Sequence, residues 1–160
     1  MNARIRSALS VLLLALPLVL SPPAGLAQAR KNHIDIVNDS GGNVLQMMQR
    51  RNDLARSGKT IRIRGYCRSA CTMLITLPNA CLGPRARIGF HAPRIPNTTI
   101  IPPYVDQIMG STYRGEIKQR WFAGWNRSME MQVISAREYV RLDPQTRICP
   151  SLTKKGRKKG

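Results

Sequence analysis

Two short turns, each joining an apolar strand to an apolar helix, constrain the fold of this chain most. Ser40-Gly41-Gly42 follows the run Ile34-Asp35-Ile36-Val37. Ser69 lies in Gly65-Tyr66-Cys67-Arg68-Ser69-Ala70-Cys71, just after Thr60-Ile61-Arg62-Ile63-Arg64, which alternates apolar and basic residues as a strand does. Between the two turns, Val44, Leu45, Met47, Met48 and Leu54 recur at helical spacing from Asn43 to Arg56, and Gly58 ends that helix. Ser69 to Leu77 is apolar almost throughout, which predicts a buried helix stopped by Pro78. Arg87-Ile88-Gly89-Phe90-His91 reads as a third strand. Strands alternating with helices require crossover connections, so an α/β fold with a mostly parallel sheet is expected.

Beyond His91 the chain carries Pro93, Pro96, Pro102 and Pro103, an irregular loop suited to rim a cleft. Tyr104 to Met131 is a mixed helical stretch with Ile108, Met109, Ile117, Trp121, Phe122 and Trp125, broken at Gly110, Gly115 and Gly124. Its aromatic residues suit a core or an oligomer contact better than a ligand box. Ser135-Ala136-Arg137-Glu138 has the form of a capped helix start.

The ends carry other instructions. Arg4 and Arg6 precede the apolar run Val11–Leu20, and Ala27-Gln28-Ala29 is a small-residue cleavage pattern. This is the form of a secretory signal peptide over residues 1–29, and it implies a periplasmic or secreted protein. The run is too short to span a bilayer, so no transmembrane segment is expected once the signal is removed. Removal takes two of the 26 basic residues and none of the 8 acidic ones, leaving about +16. Residues 30–150 suffice for one domain with one modest core. Residues 151–160 end in Lys154-Lys155-Gly156-Arg157-Lys158-Lys159-Gly160, expected to be a disordered basic tail. Such charge suits an acidic partner or an anionic surface. The few aromatics give no stacking platform, so no specific nucleic-acid partner is expected.

The four cysteines, Cys67, Cys71, Cys81 and Cys149, are an even set in an exported chain, which favours disulfides over three open connectivities. Cys67 and Cys71 flank Ser69, so a disulfide from either would brace that turn. Zinc held by Cys67, Cys71, Cys81 and His91 is the rival reading, but the spacing fits no paired ribbon. A cysteine nucleophile is at odds with an oxidising compartment. No metal or cofactor is expected.

A glycine pair, a serine between strand and helix and a histidine closing a strand are what a serine hydrolase collects as oxyanion hole, nucleophile and base. Two preorganised N–H donors stabilise a tetrahedral oxyanion. Histidine has the ordinary pKa suited to exchanging a proton near neutrality. Each residue also has a plainer role: Ser69 as a helix cap, His91 as a structural side chain, Gly41-Gly42 as a tight turn.

With these residues in view, Ile34 to Val44 resembles the strand–Ser-Pro-Gly-Gly–helix segment of the Clp-type serine peptidases, members of the crotonase-like superfamily. Gly65 to Pro93 is similar to that family's nucleophile helix and histidine strand, which ends in His-x-Pro. The Cys-x-Ser-Ala-Cys pattern resembles a group of exported bacterial Clp-like proteins. The resemblance is concentrated in Ile34 to Pro93, and only weak around Ile134-Ser135-Ala136. It implies a small, truncated Clp/crotonase-like fold, Ser69 as nucleophile, His91 as general base, and the N–H groups of Gly41 or Gly42 and of Ala70 as the oxyanion hole.

The chain departs from the family in three places. Where the family's acid falls, it has Asn126, Arg127 and Ser128, with Glu130 the nearest carboxylate and Asp143 further on. Asp39 replaces a smaller or apolar residue, with no proline before the glycines. An upstream strand is missing. Two readings follow: an exported serine hydrolase acting on a peptide or other acyl bond, or a non-catalytic module on the same scaffold that binds acidic partners through its basic surface and tail. Oligomeric state is open in both.

Overall fold

The computed structural model describes residues 32–153. The signal-peptide reading of residues 1–29 and the basic run 154–160 lie outside the described residues. Among the described residues no helix is long and apolar enough to cross a membrane.

The architecture is α/β, with two three-stranded sheets in place of the single sheet expected. In the first sheet, β1 (His33–Val37), β2 (Thr60–Arg64) and β4 (Ala80–Leu82) run parallel in the order β1-β2-β4. In the second, β3 (Tyr66–Arg68) pairs parallel with β5 (Arg87–Phe90), and β5 pairs antiparallel with β6 (Gln132–Ser135). Gly65 is the switch between the sheets. Its φ of +66° lets the chain turn from β2 into β3, and a Cβ there would run into the Asn38 side chain. The Asn38 Oδ1 accepts from the Tyr66 N–H at 2.9 Å, which joins the end of β1 to the start of β3.

Helix α1 (Val44–Arg56) is capped by Asn43, whose side chain accepts from the Gln46 N–H at 3.0 Å. It buries Val44, Met47 and Leu54 on the core, whereas Leu45, expected on the same face, is 60% exposed. The segment after Ser69 is not the α-helix expected to Leu77 but a six-residue 3-10 helix, Ser69–Leu74. Local bonds tighten it. The Thr72 hydroxyl takes the Ser69 carbonyl at 2.6 Å, and Arg51 of α1 donates to the Met73 carbonyl near its far end.

The stretch 104–131 divides into α2 (Val105–Ser111), α3 (Gly115–Arg120) and a π turn over Trp121–Trp125. Trp121 is fully buried, while Phe122 is 41% exposed. Helix α4 (Ala136–Leu142) starts at Ser135, whose hydroxyl accepts from the Glu138 N–H at 3.1 Å, as the cap pattern predicts. A short helix α5 (Pro150–Thr153) ends the described chain. Ile61, Ile63, Leu74, Leu82, Ile88 and Phe90 are fully buried in one core shared by both sheets and the helices. Each such side chain contributes about 1.5–3 kcal/mol by leaving water.

All four cysteines are paired, Cys67 with Cys71 and Cys81 with Cys149. This selects one of the three connectivities and overturns both the zinc and the cysteine-nucleophile readings, since no thiolate remains. The second disulfide fastens the C-terminal segment beside β4, where the Leu82 N–H donates to the Arg147 carbonyl and the Cys149 N–H to the Leu82 carbonyl.

Candidate active site

The C-terminal ends of β1, β3 and β5 lead into one site. In the parallel register of β3 and β5, Arg68 stands opposite Gly89. Ser69 and His91 therefore leave the same end of neighbouring strands. The β1 end joins them, because the Arg68 N–H donates to the Asp39 carbonyl at 3.0 Å. Crevices outside the carboxyl ends of parallel strands are where α/β folds place ligands.

Ser69 has a φ of +55°, left-handed backbone in a residue other than glycine. Such a conformation costs on the order of 1–3 kcal/mol and persists only where its surroundings impose it. Two features here do so. The Cys67–Cys71 disulfide closes a loop around Ser69, with both half-cystines buried. Behind the turn, the Tyr113 hydroxyl lies 2.7 Å from the Thr72 hydroxyl. Thr72 spends its one proton on the Ser69 carbonyl, so Tyr113 is the donor in that pair. Burial holds the Tyr113 hydroxyl protonated far above neutrality, as a donor must be. The relay from Tyr113 through Thr72 to Ser69 was not foreseen from the sequence. Ser69 itself is half-buried, and the described residues give its hydroxyl no hydrogen-bond partner.

The glycine pair divides its work. Gly41, at φ +83°, lies against the Ser69–Ala70 peptide, and its N–H donates to Asp39 Oδ1 at 2.8 Å. The same carboxylate takes Arg50 of α1 at 2.5 Å. Asp39 thus ties the glycine turn to helix α1. With the Gly41 N–H engaged, the free glycine donor is Gly42, exposed and without a hydrogen bond among the described residues. Ala70, second in the 3-10 helix, has no intrahelical acceptor for its N–H. Gly42 and Ala70 are the two backbone N–H donors beside Ser69 that have no acceptor among the described residues.

His91 is half-buried, one residue past β5, and the next residue is fixed by the Ala92 N–H donating to the Ser128 carbonyl at 2.7 Å. Burial holds the imidazole below the ordinary histidine range; Arg94 and Arg68 act in the same direction, and the Ala92 backbone opposes them. Near neutrality the His91 imidazole is uncharged. No hydrogen bond joins it to Ser69, and no carboxylate lies within ion-pair reach of it, among the described residues. Glu130 is exposed and makes no ion pair there. Asn126 is buried and turned to Asp106, 2.9 Å away. Asp143 is buried with Arg114 at 2.9 Å and Thr146 at 2.6 Å, a structural cluster. The described residues contain no group of metal-ligating side chains.

Two clefts lie elsewhere on the surface. An open polar groove of about 580 Å³ is lined by Arg94, Asn97, Thr98, Thr99 and Ile100 in the loop after His91. A cleft of about 490 Å³ between Arg64, Arg85 and Leu152 contains neither Ser69 nor His91.

No protein-family model matches this chain, and no curated protein is significantly similar to it.

Proposed function

We propose that this chain is an exported serine hydrolase of Clp/crotonase-like descent that cleaves a peptide or other acyl bond through Ser69. The observation that carries the reading is the Ser69 turn: a strained backbone, locked by a disulfide and a buried hydroxyl relay, at the strand end that it shares with His91. In the proposed reaction Ser69 Oγ bonds to the carbonyl carbon as neutral His91 takes its proton. The N–H groups of Gly42 and Ala70 receive the oxyanion. His91 then returns the proton to the leaving group as the scissile bond breaks. Water, activated by His91 in the same way, releases the acyl group from Ser69 and restores the proton to its oxygen. The disulfides and the N-terminal pattern both suit a periplasmic or secreted setting.

Fluorophosphonate labelling of the oxidised protein tests this reading. Labelling of the native chain, lost in Ser69→Ala and His91→Ala, is the expected result. Folded protein that takes no label contradicts it.

A second reading has its own support. No carboxylate stands behind His91 among the described residues, and losing the orienting acid costs about 10⁴-fold in such triads. A non-catalytic module that binds acidic partners through its basic surface fits that arrangement. Retained structure with no labelling, together with salt-sensitive polyanion binding, is its signature.

A further inference from the structure

Among the described residues Arg85, Arg127, Arg137 and Arg147 make no ion pair, and neither do two arginines that flank the serine–histidine pair, Arg68 and Arg94. Arg68 is the residue immediately before Ser69, is exposed, and makes no ion pair among the described residues. Arg87, at the far end of the neighbouring strand from His91, is likewise unpaired there, and both guanidinium groups lie over the Tyr66 ring, 5.5 Å and 5.6 Å from its centre. Arg94, on the other side of His91, is exposed and lines the open groove of the 92–103 loop. By contrast, Arg50, Arg56, Arg62 and Arg64 all have carboxylate partners. Positive charge is therefore left uncompensated on both flanks of the serine–histidine pair, at a site where a carboxylate would ordinarily support the imidazole.

We infer that the Ser69–His91 site takes a peptide bearing an acidic side chain, its carboxylate received by Arg68 at the end of β3 and Arg94 in the loop after β5. The inference deepens the hydrolase reading by naming a substrate class, and it rests on that reading for the location of the site. Guanidinium groups form strong charge-assisted hydrogen bonds with carboxylates. Arg94 and the open groove that it lines with Asn97, Thr98 and Thr99, which contains neither Ser69 nor His91, face solvent, as access by an extended peptide requires. The bound carboxylate also has a chemical consequence. The positive charge that develops on His91 as it takes the Ser69 proton meets two arginines in the empty site. An acidic peptide brings the compensating charge with it.

The test is fluorescence anisotropy with a labelled octapeptide of alternating Glu and Ala, beside the same peptide with Gln for Glu. It uses the oxidised chain carrying Ser69→Ala, so that no turnover consumes the probe. Binding of the Glu peptide about tenfold tighter than the Gln peptide is expected. Adding Arg68→Gln and Arg94→Gln together should bring that ratio within about twofold. Adding Lys59→Gln and Arg137→Gln removes the same charge at the opposite ends of the strands and should leave the ratio unchanged. Equal affinity for the two peptides overturns the inference, and so does equal loss in both double variants, which would mean diffuse attraction to a basic protein. Fluorophosphonate labelling of the chain with Ser69 intact separates this from the parent reading. Labelling without peptide discrimination leaves the hydrolase and removes the acidic preference. Discrimination without labelling leaves the acidic site and removes the chemistry.

Discussion

Gly41 packs so closely on Ala70 that a Cβ at position 41 would lie 2.6 Å from the Ala70 nitrogen and 2.8 Å from the Arg68 carbonyl. The atoms it would meet are backbone on either side of Ser69. A side chain at 41 thus has to displace the serine turn itself.

Gly41→Ala should therefore lower the melting temperature by several degrees and abolish labelling of Ser69, because it combines left-handed strain with this collision. Gly42→Ala meets no atom within 4 Å and carries only the strain of φ +128°. Thermal unfolding of the two variants, side by side, should find Gly41→Ala the less stable. Equal melting temperatures would mean that the contact between Gly41 and Ala70 is not maintained.

The two disulfides should separate stability from site geometry. Cys81–Cys149 closes a loop with a sequence separation of 68, and Cys67–Cys71 one with a separation of 4. Chain entropy assigns them about 4 and about 2 kcal/mol. Replacing Cys81 and Cys149 by Ala should lower denaturant stability more, and leave the labelling rate of the remaining folded protein near that of the native chain. Replacing Cys67 and Cys71 should cost less stability but most of the labelling. The opposite order in labelling would remove the disulfide from its bracing role.

Thr72→Val keeps the shape of the side chain but strands the Ser69 carbonyl and the Tyr113 hydroxyl. A cost of about 1–3 kcal/mol is expected in denaturant unfolding, with slower labelling. Tyr113→Phe removes only the outer bond of the relay and leaves the bond from Thr72 to Ser69 in place, so it should slow labelling less than Thr72→Val does. A labelling rate unchanged in Tyr113→Phe would remove Tyr113 from the brace.

The pH dependence follows from His91. Its pKa is lower in the folded chain, chiefly through burial, so the unfolded chain binds the proton more readily. The stability linked to this group is complete above the unfolded value of about 6.5 and is lost as pH falls from there towards the folded value. Labelling should show an acid limb with its midpoint below about 6.5. Replacing Arg68 and Arg94 by Gln should move that midpoint upward. A midpoint at or above 6.5 in the native chain contradicts the assignment.

Elements with a strong local pattern were legible in the sequence. Ile61 and Ile63 alternate with Arg62 and Arg64, and β2 lies where that alternation falls. Ser135 caps α4 with the bond its pattern suggests. The short strands β3, β4 and β6 were not legible. Tyr66–Arg68 and Ala80–Leu82 are three residues each, too few for a period, and are held by pairing with distant partners. The division into two sheets depends on Gly65, which sequence alone reads as the start of a motif. At the site, Ser69, His91 and the glycines were visible as types, and the brace around Ser69 was foreseen from its flanking cysteines. The engagement of the Gly41 N–H by Asp39, the Tyr113 relay and the arginine flanks were not, because each joins residues whose proximity only the fold creates.

The account turns on Ser69 as a nucleophile, and mass spectrometry of the fluorophosphonate-treated, oxidised chain tests that most directly. The account predicts a single adduct, carried by the peptide that contains Ser69 and absent from the His91→Ala variant. An adduct on any other residue, or an unmodified mass from folded protein, would contradict it.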